Sequence, residues 1–336
     1  MPGAKQLIVA TAALAVGVPA AAHAATKIAF TSLDVSSHIV VMNGDGRERT
    51  TLTSRTVGDV SPAWSPSGTR LTFVRRRADG RDDVFIVNGD GTGFRRLTRT
   101  AAREANPVWA PRGGRLAYER GRAFSGVEIF VQNADGSGRR RLTENSVPDV
   151  EPAWAPGGRR IAFTRYVRGR GPEIYVSRAD GAAVRRLTAN RVPDHHPDWS
   201  PQGRIAFVRF RATRNKLLVM NADGSGKRRL WSRRGIGSAV WAPGGRRLAV
   251  EVFDGSDGEI YVVSAGGKTR RRLTDNDVDD FGPVWAPGGR RIAFTRYANG
   301  SNDVWSMRSS GRGKRRLAGS SAHESVSDWA KVPSGA

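Results

Sequence analysis

Two adjacent histidines, His195 and His196, are the strongest candidates for chemistry in this 336-residue chain, together with the acids Asp149, Glu151 and Asp194. Imidazole nitrogen beside carboxylate oxygen is a donor set that suits a divalent metal. The same groups also serve as a solvated pair or as partners for a neighbouring acid. A second candidate is a series of acids, Asp59, Glu104, Asp149, Asp194, Asp280 and Glu324, each five residues before a tryptophan. Gathered at one place, six carboxylates offer a site for a cation or a basic peptide arm. Alternatively, each accepts hydrogen bonds from backbone groups and fixes a junction in the fold. Hydrolase nucleophiles are absent: the chain has no Gly-x-Ser-x-Gly elbow and no cysteine.

The elements that position these residues follow from the tryptophans. Trp64, Trp109, Trp154, Trp199, Trp241, Trp285 and Trp329 are separated by 45, 45, 45, 42, 44 and 44 residues. Such a period marks an array of one supersecondary unit. Residues 151–188 parse into four strands: the Trp strand closed by "APGG", then "RRIAFTRY", then "EIYVS", then "VRRLT" after a "RADG" turn. Consecutive apolar residues in "IAF" suit a sheet buried on both faces, as in a propeller blade packed between two neighbours.

The second-strand core occurs seven times, from Ile28–Phe30 to Ile292–Phe294. Its first copy has no Trp strand before it, and the last Trp strand, around Trp329, has only a short tail after it. Joining the two predicts an all-β, seven-bladed β-propeller of four-stranded antiparallel blades over residues 25–336. Its ring is closed by both ends of the chain, which removes exposed sheet edges.

The repeated "W-S-P-x-G … I-A-F … D-G … R-R-L-T" resembles the TolB-type propeller repeat from about Lys27 to Trp329. The aspartate usual after the turn proline is replaced by Ser67, Arg112, Gly157, Gln202, Gly244 and Gly288, while the following glycine remains. Proteins named for this repeat carry an α/β domain before a six-bladed propeller. Seven repeats directly after a leader leave no room for one, so the resemblance implies a TolB-like propeller, and membership of the Tol–Pal system does not carry over from it. Oligogalacturonate lyases, of related build, hold a metal through channel histidines from several blades. Here the Trp strands supply only His195, His196 and the isolated His323.

Residues 1–24 read as a secretory signal peptide, with Lys5, an apolar stretch from Leu7 to Val18 and an Ala22-His23-Ala24 ending. Export to the periplasm, the medium or the cell wall is expected, with no transmembrane segment after cleavage and the closed ring a monomer. Net charge is +24, and all but seven of the 55 basic residues are arginine. They recur in "GGRR" and "RRLT", either as the footprint of an anionic wall polymer or as repeated surface decoration that blocks edge pairing. Basic doublets without interleaved aromatics argue against a specific nucleic-acid partner. The turns "NGDGTG" and "NADGSG" read as hairpins, because the terminal glutamate of a calcium loop is missing.

Two functions remain. The first is a non-catalytic module docking an envelope protein or wall polymer at one face, through the acid series. The second is a metal-assisted lyase acting on acidic oligosaccharides, with Glu151, His195 and His196 as ligands. No other cofactor is expected. Three residues before each Trp the series Ser61, Asn106, Glu151, His196, Ser238, Gly282 and Val326 differs blade by blade. A specific site is expected there, near the neighbouring Trp199 and Trp241 units.

Overall fold

The computed structural model describes residues 25–333 apart from Val57, Asp254 and Ser256, so the expected leader lies outside the described residues. Seven four-stranded antiparallel sheets form a ring. Blades 2 to 7 carry Trp64, Trp109, Trp154, Trp199, Trp241 and Trp285 in order. Blade 1 joins the C-terminal strand His323–Lys331 to Thr26–Leu33, paired from Thr26 opposite Lys331 to Leu33 opposite His323 with a slip between Ala29 and Phe30. The closure inferred from the phase of the repeat is therefore the closure observed. Gly68, at φ 69°, lets the tail pass over the first turn of blade 2, where a Cβ would lie 1.9 Å from the Lys331 carbonyl oxygen.

The core lies between blades. Ile161 and Phe163 of blade 4 pack with Trp154 against Ala117, Ile129 and Val131 of blade 3. Ala162 faces the other way, under Trp199, Ile205 and Phe207 of blade 5. Large residues thus project from one face of each blade and a small one from the other, which explains the unbroken "IAF" triplets. Each buried Phe, Ile or Leu stabilises this packing by about 1.5–3 kcal/mol. Tryptophan adds a polar handle: Nε1 of Trp109, Trp154 and Trp285 donates to a carbonyl of the preceding blade at 3.0, 3.2 and 3.1 Å.

Most of the repeated arginines have structural partners. Arg70, Arg115, Arg160, Arg204 and Arg247, which open second strands, lie over the Trp ring of the next blade at 5.1–5.5 Å. On fourth strands, Arg95 and Arg228 donate to carbonyls of the next blade's hairpin turn. Arg186 and Arg272 pair with the third-strand acids Glu173 and Glu259. In the "RLT" motif, the Thr188 hydroxyl accepts the Ile174 N–H at 2.9 Å and donates to Glu173 at 2.5 Å. Much of the high arginine content is therefore mortar within and between blades.

First strands begin, and second strands end, at one face of the ring, here termed the mouth face. The Trp-strand turns and the third-to-fourth hairpins lie on the opposite, turn face. In those hairpins Asp135 and Asp223 accept from the N–H and hydroxyl of Ser137 and Ser225, which completes a tight turn.

Candidate functional site at the channel mouth

The six acids of the repeat are all fully buried, which corrects the expectation of a carboxylate ring open to a ligand. Asp59, Asp149, Asp194 and Asp280 each form a two-pronged ion pair with a second-strand arginine of their own blade. The partners are Arg75, Arg165, Arg209 and Arg296, at 2.7–2.9 Å. Glu104 lies 3.5 Å from Arg120 and accepts from Thr98 and Thr100, and Glu324 pairs with Arg49. Burial raises the pKa of both glutamates. Asparagines carry a link between blades through both the side-chain amide and the backbone N–H. Asn190 Nδ2 donates to Asp194 at 2.8 Å, and its N–H donates to Glu173 of the preceding blade at 2.8 Å. Asn145 and Asn276 repeat this bridge to Asp149 and Asp280.

A β-bulge explains why these side chains turn inward. In blade 4, Asp149 and Val150 pair with Arg165 and Thr164, but Ala153 and Trp154 pair with Ala162 and Ile161. One extra residue therefore sits between acid and Trp, and it resets which side chains face the channel. The same slip occurs in every blade. At the bulge the backbone turns left-handed at Ser61, Asn106, Glu151, His196 and Gly282, with φ between 49° and 59°. These are members of the blade-variable series.

The bulge residues open onto a central cavity of about 630 Å³ whose wall includes Ser61, Asn106, Glu151, His196, Asp198 and Ser238. Glu151 is the carboxylate of that wall that faces the histidine pair. His196 Nδ1 is 3.1 Å and His195 Nδ1 3.8 Å from the Glu151 carboxylate, which also accepts from Thr164 at 2.7 Å and the His196 N–H at 2.8 Å. Burial pushes the Glu151 carboxyl up, but His195, His196, Thr164 and that N–H outweigh it and hold the group at about 2. Both imidazoles thus direct nitrogen at one carboxylate. Among the described residues no three His, Cys, Asp or Glu side chains are arranged to hold a metal ion.

Further acids join them. Glu119 accepts from Asn106 and from the Glu151 N–H, both at 2.8 Å, and Glu251 accepts the Gly282 N–H at 2.9 Å. Burial raises both carboxyls. Asp198 receives the Trp241 N–H at 2.7 Å, as Asp328 receives that of Trp64, and burial lifts each to about 6. Neither pair was singled out in the sequence. Aligned on the repeat, Glu119 and Glu251 break a Thr/Val series directly after the core triplet, and Asp198 and Asp328 break an Ala/Val series before Trp. Outside the cavity, His195 meets Tyr166 and Phe210 edge-on at 5.6 and 5.4 Å, and Phe124 meets Tyr166 at 5.0 Å. Phe124 and Phe253 are 58% and 42% exposed, so the rim offers an aromatic shelf.

The family profile described as the TolB beta propeller domain matches residues 1–126 and 180–332. The chain belongs to the TolB beta propeller domain family. Over 58 residues it is 45% identical to the Tol-Pal system protein TolB of Thioalkalivibrio sulfidiphilus (strain HL-EbGR7), a match covering 17% of this chain and 13% of that protein. In structure it is similar to TolB from Acinetobacter baumannii (TM-score 0.60, 15% identity, 90% of this chain and 82% of that one). It is also similar to an oligogalacturonate lyase in complex with manganese (0.66, 12% identity, 87% and 85%) and to a puromycin hydrolase mutant (0.71, 16% identity, 88% and 52%). At these identities the likeness shows a shared fold, and propellers of one fold host unrelated activities. Among the described residues no helix of this TolB-type propeller is long and apolar enough to cross a membrane.

Proposed function

We propose that this propeller is a non-catalytic binding module of the cell envelope that docks a protein partner on its mouth face. One observation carries the reading. Glycine is the residue that adopts the bulge conformation without penalty, and blade 7 uses it at Gly282. Blades 2 to 5 instead hold Ser61, Asn106, Glu151 and His196 there, accepting strain on the order of 1–3 kcal/mol each. Their side chains differ from blade to blade and line the cavity. Strained, non-identical polar groups around one opening, beside an aromatic shelf, suit recognition of one partner in one orientation.

Glu151 and Asp198 on the cavity wall make the channel itself a poor seat for the anionic wall polymer, although Arg103, Arg122, Arg211 and Arg234 line the rim around it. A protein segment bearing cationic and aromatic groups fits it better. The leader-like residues 1–24 support export, and hence a periplasmic or extracellular partner. Metal-assisted lyase chemistry is less well supported, since only blade 5 brings histidine to the cavity wall.

The test is capture from envelope extract by immobilised protein. Ser61→Arg with Ser238→Arg, on the cavity wall, should abolish capture while the melting temperature stays within about 3 °C of the parent, as suits changes worth about 1 kcal/mol. Arg159→Glu, on the turn face, should leave capture intact. Undiminished capture by the mouth variant would remove this face as the docking site.

A further inference from the structure

The third-to-fourth hairpins of the turn face differ from blade to blade in whether they carry an acid. In blades 1 to 5 the hairpin between third and fourth strands carries an aspartate: Asp45, Asp90, Asp135, Asp180 and Asp223. Blades 6 and 7 have Gly266 and Ser310 at that place. The loss matters most in blade 7, where Arg291 stands directly opposite Arg308 across the sheet. Like charges so placed repel.

Blade 4 holds the other such pair, since the remaining blades set asparagine or serine opposite the second-strand base. There Arg160 stands opposite Arg178, and Asp180 takes Arg178 at 2.8 Å. In blade 7 the third guanidinium is Arg315, whose strand position is opposite Ser306. Arg291 gives Nη2 to the Ser306 hydroxyl at 2.6 Å, while its buried Nε has no acceptor among the described residues. Burial, followed by the charges of Arg315 and Arg308, depresses the Arg291 pKa. Arg290, Arg312 and Lys314 on the adjoining turns are exposed, and Arg247 reaches Ser309 at 3.2 Å from blade 6.

We propose that the turn face of blade 7 binds a phosphoryl oxyanion between Arg291, Arg308 and Arg315, at the place where other blades set an aspartate. A phosphoryl group offers three acceptor oxygens and more than one negative charge, which suits several converging guanidinium forks better than a single carboxylate does. Bound there, it supplies the counter-charge that Ser310 does not. The site lies on the face opposite the channel mouth and is independent of the partner proposed above.

The test compares wild type, Ser310→Asp and Asp180→Ser by thermal unfolding with millimolar pyrophosphate against sodium chloride of equal ionic strength. Pyrophosphate should raise the wild-type melting temperature by several degrees beyond chloride. Ser310→Asp should melt higher than wild type without ligand and lose the increment. Asp180→Ser, which recreates the unneutralised pair in blade 4, should show a larger increment than wild type. Equal increments in wild type and Ser310→Asp would overturn the site and assign the effect to diffuse positive charge. Acetate reproducing the increment would overturn the phosphoryl assignment. Co-sedimentation with phosphatidylglycerol vesicles separates the two sources: Ser310-dependent pelleting identifies a lipid headgroup, and its absence alongside a pyrophosphate increment identifies a soluble or polymer phosphate. Both of those outcomes uphold the site.

Discussion

The two faces of the ring are built from one repeat but treat charge in opposite ways. On the mouth face the repeated acids are paired inside the blades, and the groups left exposed are the blade-specific ones, Ser61, Asn106 and His196. On the turn face the repeated arginines reach the surface after stacking on Trp rings or taking hairpin carbonyls. Repetition therefore marks residues that serve the fold, and exposed departures from repetition mark residues available for recognition. Glu151 and Asp149 illustrate the rule two residues apart. Asp149 is locked to Arg165 like its counterparts, whereas Glu151 has a histidine pair found in no other blade.

The largest expected effect breaks this comparison at its structural side. Asp149→Ala leaves Arg165, itself mostly buried, without its partner, and should cost about 3–5 kcal/mol. Denaturant unfolding measures it, and a loss below about 1 kcal/mol would show that the repeated acids are dispensable to the blades. The next effect is on pH dependence. Burial raises Asp198 and Asp328 to about 6 from a usual 3.8. The folded chain therefore holds protons that the unfolded chain releases between about pH 4 and 6, and stability falls as pH rises through that window. Asp198→Asn with Asp328→Asn should flatten the melting temperature between pH 4 and 7, a change on the order of a few degrees. An unchanged slope would place the titration elsewhere. The smallest effect sharpens the recognition side. Ser61→Gly removes a strained side chain but enlarges the unfolded ensemble, so stability should move by less than about 1 kcal/mol. Partner capture should nevertheless weaken, and a variant that captures as well as wild type would remove Ser61 from the recognition surface.

Much of the fold was legible because a propeller repeats its local signals. The Trp period, the "IAF" triplets and the "RLT" threonines each recur for a local reason, and their phase predicted seven blades closed by Trp329 beside Ile28. The acids were legible as a series but not as buried ion pairs. Asp149 and Arg165 lie sixteen residues apart and meet only through the strand register. The bulge between acid and Trp also resets the alternation on which an inward or outward assignment depends. Glu119 and Glu251 sit in strands that read as plain core, so their place at the mouth stayed hidden.

By itself the sequence determined the architecture, the blade count and the ring closure, because these depend on spacing that neighbouring residues enforce. Tertiary structure alone decided which charges are neutralised. It buried the six acids against arginines, brought Glu151 to His195 and His196, and left Arg291 facing Arg308 without an acid on its own hairpin. The physical reason is that a charge is satisfied by proximity in space. In a ring of blades that proximity is set by register, bulges and the next blade, and not by distance along the chain.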